Sequence, residues 1–101
     1  MKKATARHIL VSSKEICNEL KKDIEKGADF ADIARDFSEC PSSSSGGDLG
    51  EFNEGEMVKE FNKAVFKGEI GKLIGPVKTQ FGYHLIEVQS ISDSSEDETF
   101  R

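Results

Sequence analysis

The stretch TQFGYHLIEV, residues 79–88, places His84 inside an alternating apolar run that predicts a buried β-strand. An unpaired polar group in such a strand costs roughly 1–3 kcal/mol. The only other histidine of the chain, His8, lies in a similar run, TARHILV, residues 5–11. If the two strands are neighbours, the rings can face each other and bond each other, or a nearby hydroxyl or thiol, because a neutral imidazole both donates and accepts. The pattern leaves open whether such a pair is only structural.

The remaining segments predict a mixed α and β chain. Residues 5–11 form the first strand, Ser12 or Ser13 caps a helix that extends to about Lys26, and Asp29 caps a second helix. Next come a loop over 38–50, a short strand at 50–53, a third helix at 57–66, and two strands at 74–79 and 82–91 joined by a tight turn. This order predicts the α+β class: a four-stranded antiparallel sheet surrounded by three to four helices, with the two histidine strands at its centre.

Apolar periodicity predicts which side chains share a face. On the last strand one face carries His84, Ile86 and Val88, and the other carries Tyr83, Leu85 and Glu87. On the third helix Met57 and Phe61 share a face, whereas Val58 and Val65 are expected to face elsewhere. Two apolar faces on one short helix predict one role in the core and one at a binding site. The alternative is a single stripe that feeds the core.

Composition and charge limit the classes of function. A chain of 101 residues suits one domain, which we place at residues 1–91, and residues 92–101, SDSSEDETFR, are predicted to form an acidic, serine-rich disordered tail. A formal net charge of −5, with both signs mixed along the body, argues against nucleic acid as a partner and against a membrane surface. Because no segment has the length of a signal-peptide core or a membrane span, we expect a cytoplasmic protein, and a monomer.

The two cysteines predict neither a disulfide framework nor a metal site. Cys17 falls on the apolar stripe of the first helix, and Cys40 lies in the long loop. Zinc sites usually bring their ligands in close-spaced pairs, whereas the cysteines and histidines here are scattered singly. We therefore expect no metal and no cofactor.

Five stretches, in this order and spacing, resemble one protein family. They are ARHILV (6–11), GADFADIARDFSECPS (27–42), GGDLGEF (46–52), GEMVKEFNKAVF (55–66) and GPVKTQFGYHLIEV (75–88). Over about residues 5–91 the chain resembles a parvulin, a peptidyl-prolyl cis/trans isomerase of the short single-domain type. The resemblance implies a four-stranded antiparallel sheet wrapped by helices, of parvulin or FKBP-like form, and isomerase activity on the bond that precedes proline.

The resemblance also implies the residues of an active site. The paired histidines are His8 and His84, Thr79 joins their hydrogen-bond network, and Cys40 is the cysteine of the active-site loop. The residues that bind proline are Leu49, Met57, Phe61 and Phe81, with Phe52 and Gln80 at the margin. The partners implied are proline-containing peptides and unfolded or folding proteins.

The chemistry of proline isomerisation suits these residue types. Rotation about an X-Pro bond needs neither proton removal nor hydrolysis, only relief of a barrier of about 20 kcal/mol. A protein lowers this barrier by binding the twisted imide better than either planar form, and an apolar pocket built from Met57, Phe61 and Phe81 is suited to that task. The Cys40 thiol can hold the substrate carbonyl or act as a nucleophile. We favour the non-covalent role because no step needs a covalent intermediate.

Two other classes of function fit parts of the pattern. One is a binding module or holdase chaperone that binds proline peptides with little catalysis. The other is a Cys/His hydrolase, which we disfavour because neither an oxyanion-hole loop nor an orienting carboxylate is recognisable near Cys40. Some parvulins read a phosphate before proline with a basic cluster, but the loops VSSKEI (11–16) and PSSSSGGD (41–48) contain one lysine between them. We therefore expect no phosphate requirement.

Overall fold

The computed structural model describes residues 2–93 as four strands, three α-helices and one 3-10 helix. In chain order they are β1 (Lys2–Val11), α1 (Lys14–Glu25), α2 (Phe30–Phe37), the 3-10 helix (Pro41–Ser45), β2 (Asp48–Asn53), α3 (Lys59–Lys67), β3 (Leu73–Thr79) and β4 (Gly82–Asp93). The strands form one antiparallel sheet in the order β2-β1-β4-β3. The α+β class and the central position of the two histidine strands are both confirmed.

The central strands are longer than the apolar pattern predicts. β1 begins at Lys2 and β4 ends at Asp93, because the pairs Lys3 with Ser92 and Lys2 with Asp93 continue the ladder beyond its apolar part. Backbone pairing satisfies these polar residues without a core beneath them. β4 therefore includes Ser92 and Asp93, the first two residues of the predicted tail, and the remaining residues of that tail, 94–101, lie outside the described residues.

Helices cover both faces of the sheet, and the alternation predicted for β4 is confirmed. One face packs against α3 through a buried cluster that contains Ala4, Ala6, Phe52, Phe61, Val65, Ile86 and Val88. The opposite face packs against α1 and α2 through Ile9, Val11, Cys17, Leu20, Phe30, Ala34 and Leu85. Since His8 and His84 alternate in step with the first set, we call that side of the sheet the histidine face.

The predicted helix starts hold for α1 and α2. The Ser13 hydroxyl accepts from the Ile16 backbone N–H, and the Asp29 carboxylate accepts from the Asp32 N–H, so both caps satisfy free donors of the first turn. The predicted apolar stripes are less complete at their ends, because Ile16 is 43% exposed and Phe37, the last residue of α2, is 50% exposed.

The prediction for α3 is wrong in two respects. The helix begins at Lys59 with Val58 as its N-cap residue, so Met57 precedes it. Val65 does not face elsewhere: it lies four residues after Phe61 and joins the same buried cluster, and Met57, Val58 and Phe66 pack against that cluster. One broad apolar stripe therefore replaces the two separate faces, as expected for residues spaced by four on a helix.

Candidate active site

Three polar side chains on the histidine face form a continuous hydrogen-bonded chain. Nδ1 of His8 and Nδ1 of His84 lie 3.0 Å apart, and Nε2 of His84 lies 2.7 Å from the Thr79 hydroxyl oxygen. The Phe81 backbone N–H donates to that oxygen at 3.1 Å. All three side chains are buried, with exposed fractions of 4–6%. The prediction that the two rings face each other and that a hydroxyl completes their bonding is confirmed.

The contacts leave two proton arrangements along this chain, because a hydroxyl donates one hydrogen bond and accepts two. In one arrangement the Thr79 O–H donates to Nε2 of His84, and Nδ1–H of His84 donates to Nδ1 of His8. In the other, Nδ1–H of His8 donates to Nδ1 of His84, and Nε2–H of His84 donates to the Thr79 oxygen. In both, Nε2 of His8 is a buried atom without a hydrogen-bond partner among the described residues.

Both imidazoles are held in the neutral form. Burial lowers the pKa of His8 from 6.5 to about 4, with the neighbouring His84 as the second cause, and burial also lowers the pKa of His84. The bond between the two Nδ1 atoms agrees with this, because the ring whose nitrogen accepts must be neutral. The pair is therefore uncharged near pH 7, and it does not act as a charged acid.

Phe61 packs its ring against both histidines. Its centroid lies 5.4 Å from that of His8 and 5.5 Å from that of His84, with interplanar angles of 85° and 79°. These edge-to-face contacts are the preferred geometry for aromatic pairs. Because Phe61 is 3% exposed, it joins the core to the histidine pair and presents little surface of its own.

The structure gathers three of the implied proline-binding residues around a fourth, Phe61. Phe52 is buried with its ring 6.3 Å from that of Phe61, and Leu49 and Met57 are half-buried against the same cluster. Within residues 2–93 these side chains enclose no cavity, so they form an open apolar surface. Met57 precedes α3 and does not extend from it.

Gln80 and Phe81 form the two-residue turn between β3 and β4 and are not part of that buried cluster. Both are exposed, and the Phe81 ring is 60% exposed. The N–H of Phe81 nevertheless bonds Thr79, so the turn is tied directly to the histidine chain. An aromatic ring this exposed contributes little to folding and is available to a ligand.

Cys40 lies on a loop that is hydrogen-bonded to β1 beyond the last residue that β1 pairs with β2. It is the N-cap residue of the 3-10 helix and is half-buried. The preceding residues hold the loop in place, because Leu10 N–H donates to the Ser38 hydroxyl and Glu39 N–H donates to the Leu10 carbonyl. Within residues 2–93, Nε2 of His8 has no hydrogen-bond partner and His84 uses both ring nitrogens elsewhere, so the Cys40 thiol bonds neither histidine.

Gly47 fixes the return of this loop across β1. The His8 backbone N–H donates to the Gly47 carbonyl at 2.9 Å. A Cβ on Gly47 would meet the His8 carbonyl oxygen, and its φ of +87° is unfavourable for other residues. Glycine at this position therefore lets the loop approach the histidine strand closely.

One residue of the histidine face, Leu10, carries none of the predicted roles. It is the cross-strand partner of His84 and is half-buried. It lies in the run Ile9, Leu10, Val11, where three consecutive apolar residues conceal which one is left open. The sequence signal that identifies it is the alternation that starts at His8, because residues 8 and 10 of a strand share a face.

Residues 2–93 contain neither a cluster of metal ligands nor a helix that could span a membrane. No group of three or more His, Cys, Asp or Glu side chains in this part of the chain is arranged to hold a metal ion. None of the helices between residues 2 and 93 has the length and apolar character needed to cross a bilayer.

The fold and the paired histidines define a parvulin-type domain, and comparison with known proteins agrees. The model of the PPIC-type peptidyl-prolyl isomerase (rotamase) domain matches residues 2–90. The chain therefore belongs to the PPIC-type peptidyl-prolyl isomerase family, as the resemblance of its sequence implied.

Named relatives and solved structures give the same picture. The chain is 47% identical over 87 residues to the foldase protein PrsA of Geobacillus kaustophilus, a match that covers 85% of this chain and 31% of that protein. The crystal structure of the peptidylprolyl isomerase PrsA from Bacillus anthracis superimposes with a TM-score of 0.89 at 36% identity, covering 97% of this chain and 47% of the other. NmPin, the parvuline of Nitrosopumilus maritimus, gives 0.80 at 34% identity, covering 89% of this chain and 98% of that one.

The chain covers very different shares of the proteins that it matches. The chain spans about a third of the curated foldase relatives it matches, with shares of 31%, 35% and 30% for the first three. It spans nearly all of the NmPin chain. The similarity to the foldases is therefore similarity to one domain of those proteins.

Proposed function

We propose that this chain accelerates cis/trans isomerisation of X-Pro bonds in peptides and unfolded proteins, without a covalent intermediate. The observation that carries the proposal is the buried, neutral chain of His8, His84 and Thr79 beside an open apolar surface. Such a surface binds the proline ring and removes water from the imide. That favours the less conjugated, twisted geometry over both planar forms.

The residues divide into two roles. Leu49, Met57 and Phe81 contact the proline, with the buried rings of Phe61 and Phe52 as the floor beneath them and Gln80 at the margin. His8, His84 and Thr79 are positioning residues: their bonds hold the Phe81 turn and the Phe61 ring relative to each other. Cys40 touches the substrate carbonyl at the edge of the site.

A covalent role for Cys40 has no support in the geometry. A nucleophilic thiol needs a base within hydrogen-bond reach or a lowered pKa. Among residues 2–93 neither histidine is hydrogen-bonded to the thiol, because His84 uses both ring nitrogens elsewhere and Nε2 of His8 has no partner. The lowered pKa of His8 also keeps that ring neutral near pH 7. The non-covalent mechanism follows because the twisted imide needs stabilisation and no proton transfer.

The proposed clients are proline-containing peptides and unfolded proteins, and the relatives named foldases support this choice. We also propose that a phosphate before proline is not required, because Lys14 is the only basic residue in the stretches VSSKEI (11–16) and PSSSSGGD (41–48). The cytoplasmic location and the monomeric state stay predictions from composition.

The proposal is tested by NMR exchange spectroscopy on a short peptide with one Ala-Pro bond. At protein concentrations far below that of the peptide, we expect faster exchange between the cis and trans signals. The alternative of a binding module or holdase predicts shifts only at stoichiometric protein, with unchanged exchange, and that result would contradict the proposal. A Ser-Pro peptide and its phosphorylated form are compared in the same experiment, and we expect the phosphorylated form to be turned over no faster.

A further inference from the structure

Leu10 is an apolar residue for which the packing of the core does not account. It is half-buried, and within residues 2–93 it belongs to neither of the two apolar clusters that cover the sheet. The other apolar residues of β1 are fully buried, with exposed fractions of 0–3% for Ala4, Ala6, Ile9 and Val11. Leu10 is therefore the apolar residue of β1 that keeps part of its surface exposed to solvent.

The register of the sheet places Leu10 on the histidine face. It pairs with His84 on β4, and His84 pairs with Val77 on β3. Directly paired residues on neighbouring strands point to the same side of a sheet. Leu10 thus forms one row with His84 and Val77, next to the row formed by Thr79 and Gly82.

Gly82 provides the space that the Leu10 side chain occupies. A Cβ on Gly82 would lie 3.3 Å from Cδ1 of Leu10 and 2.6 Å from the Val11 carbonyl oxygen, and the φ of Gly82 is +140°. The Leu10 side chain therefore extends over the first residue of β4, toward the turn that carries Phe81. Any larger residue at position 82 would compete for this space.

The opposite edge of Leu10 is joined to the Cys40 loop. Its N–H donates to the Ser38 hydroxyl at 3.0 Å, and its carbonyl accepts from the Glu39 N–H at 2.7 Å. Leu10 consequently lies between the loop that leads into Cys40 and the turn that carries Phe81. A peptide bound between these two segments crosses Leu10.

We propose that Leu10 contacts the side chain of the residue before proline and makes the site prefer an apolar residue there. This inference rests on the isomerase function proposed above. The charge next to Leu10 favours the same preference, because the Glu39 backbone N–H donates to the Leu10 carbonyl, which places an exposed acidic residue beside Leu10 that disfavours an acidic residue before proline by repulsion. Lys78 pairs with Tyr83 and so lies on the opposite face, where it cannot offset that repulsion.

The test compares peptides with Leu, Ala or Glu before proline, using the unsubstituted protein and the variants Leu10→Ala and Leu10→Lys. We expect Leu10→Ala to lower the ratio of kcat/KM for Leu-Pro over Ala-Pro by about fivefold, in the range that apolar contacts of this size confer. Leu10→Lys is expected to raise the ratio of Glu-Pro over Ala-Pro several-fold. The matched control is Leu73→Ala, a half-buried leucine packed against the other cluster, which should leave both ratios unchanged.

The outcomes separate this inference from the proposed function. No acceleration by the unsubstituted protein would overturn both. Acceleration with the same peptide ratios in the unsubstituted protein and in the Leu10 variants would overturn the role of Leu10 alone. If Leu10→Ala does not fold, Leu10→Gln and Leu10→Met have similar volume, and the apolar preference is expected to fall in the first and persist in the second.

Discussion

Replacing Phe61 by alanine is expected to lower the free energy of unfolding by about 3–5 kcal/mol. Phe61 is buried, belongs to the cluster on the histidine face, and packs edge-to-face on both His8 and His84. Its loss leaves a cavity beside two imidazoles that are held in place partly by that ring. Since a domain of this size is stable by roughly 5–15 kcal/mol, the variant should unfold at much lower urea concentration, followed by circular dichroism.

Phe66 provides the matched control for this prediction. It lies on the same helix and contacts Phe52 at 6.1 Å, but it is half-buried and is not among the ring neighbours of either histidine. Phe66→Ala should cost distinctly less than Phe61→Ala and should leave the NMR signals of both histidine rings in place. Equal losses in the two variants, or a loss below about 1 kcal/mol for Phe61→Ala, would show that Phe61 does not join the core to the histidine pair.

Acid is expected to destabilise the protein through His8 before most carboxylates titrate. The pKa of His8 is about 4 in the folded protein and about 6.5 in the unfolded chain. Between these values the unfolded chain binds a proton that the folded protein does not, so the free energy of unfolding falls as pH decreases from about 6.5 toward 4. The lowered pKa of His84 acts in the same direction. His8 alone should account for a loss of about 2 kcal/mol between pH 7.5 and 5.0.

The variant His8→Asn tests the origin of this pH dependence. The asparagine side chain can donate or accept in place of Nδ1 of His8 in the bond with His84, but it does not titrate. We expect His8→Asn to be less stable at pH 7.5 and to lose at least about 1 kcal/mol less than the unsubstituted protein on acidification, as measured by urea unfolding. The carboxylates are the same in both proteins, so an identical pH dependence would assign the acid effect to them and not to His8.

The parts of the fold that the sequence predicts are those where one local signal decides the structure. Alternation around His8 and His84 identified the central strands, and capping residues Ser13 and Asp29 placed the starts of α1 and α2. The start of α3 was misplaced because its N-cap residue, Val58, makes no side-chain capping bond that a sequence pattern can reveal. The ends of β1 and β4 were missed because pairing between two strands, not burial, extends them to Lys2 and Asp93.

The site was predictable to a similar extent. The facing histidines follow from alternation once the two strands are known to be adjacent, and Thr79 lies next to His84 because a two-residue turn places it there. Within residues 2–93 the Cys40 thiol bonds neither histidine, and this depends on how the loop before Cys40 attaches to β1. The attachment is a tertiary hydrogen bond from the Leu10 N–H to the Ser38 hydroxyl, which the sequence does not reveal. The open form of the apolar surface depends on the exposure of Phe81, which a turn sequence does not reveal.

The exchange rate of an Ala-Pro peptide with Phe81→Ala, compared with Ile70→Ala, tests the central claim most directly. Both residues are exposed, at 60% and 56%, so neither substitution removes a core contact, but Phe81 adjoins the histidine chain and Ile70 lies in the turn between α3 and β3. We expect Phe81→Ala to reduce the acceleration at least about tenfold, equivalent to about 1.4 kcal/mol of transition-state binding, and Ile70→Ala to retain it. Equal acceleration by the two variants would contradict the claim that this surface binds and twists the imide.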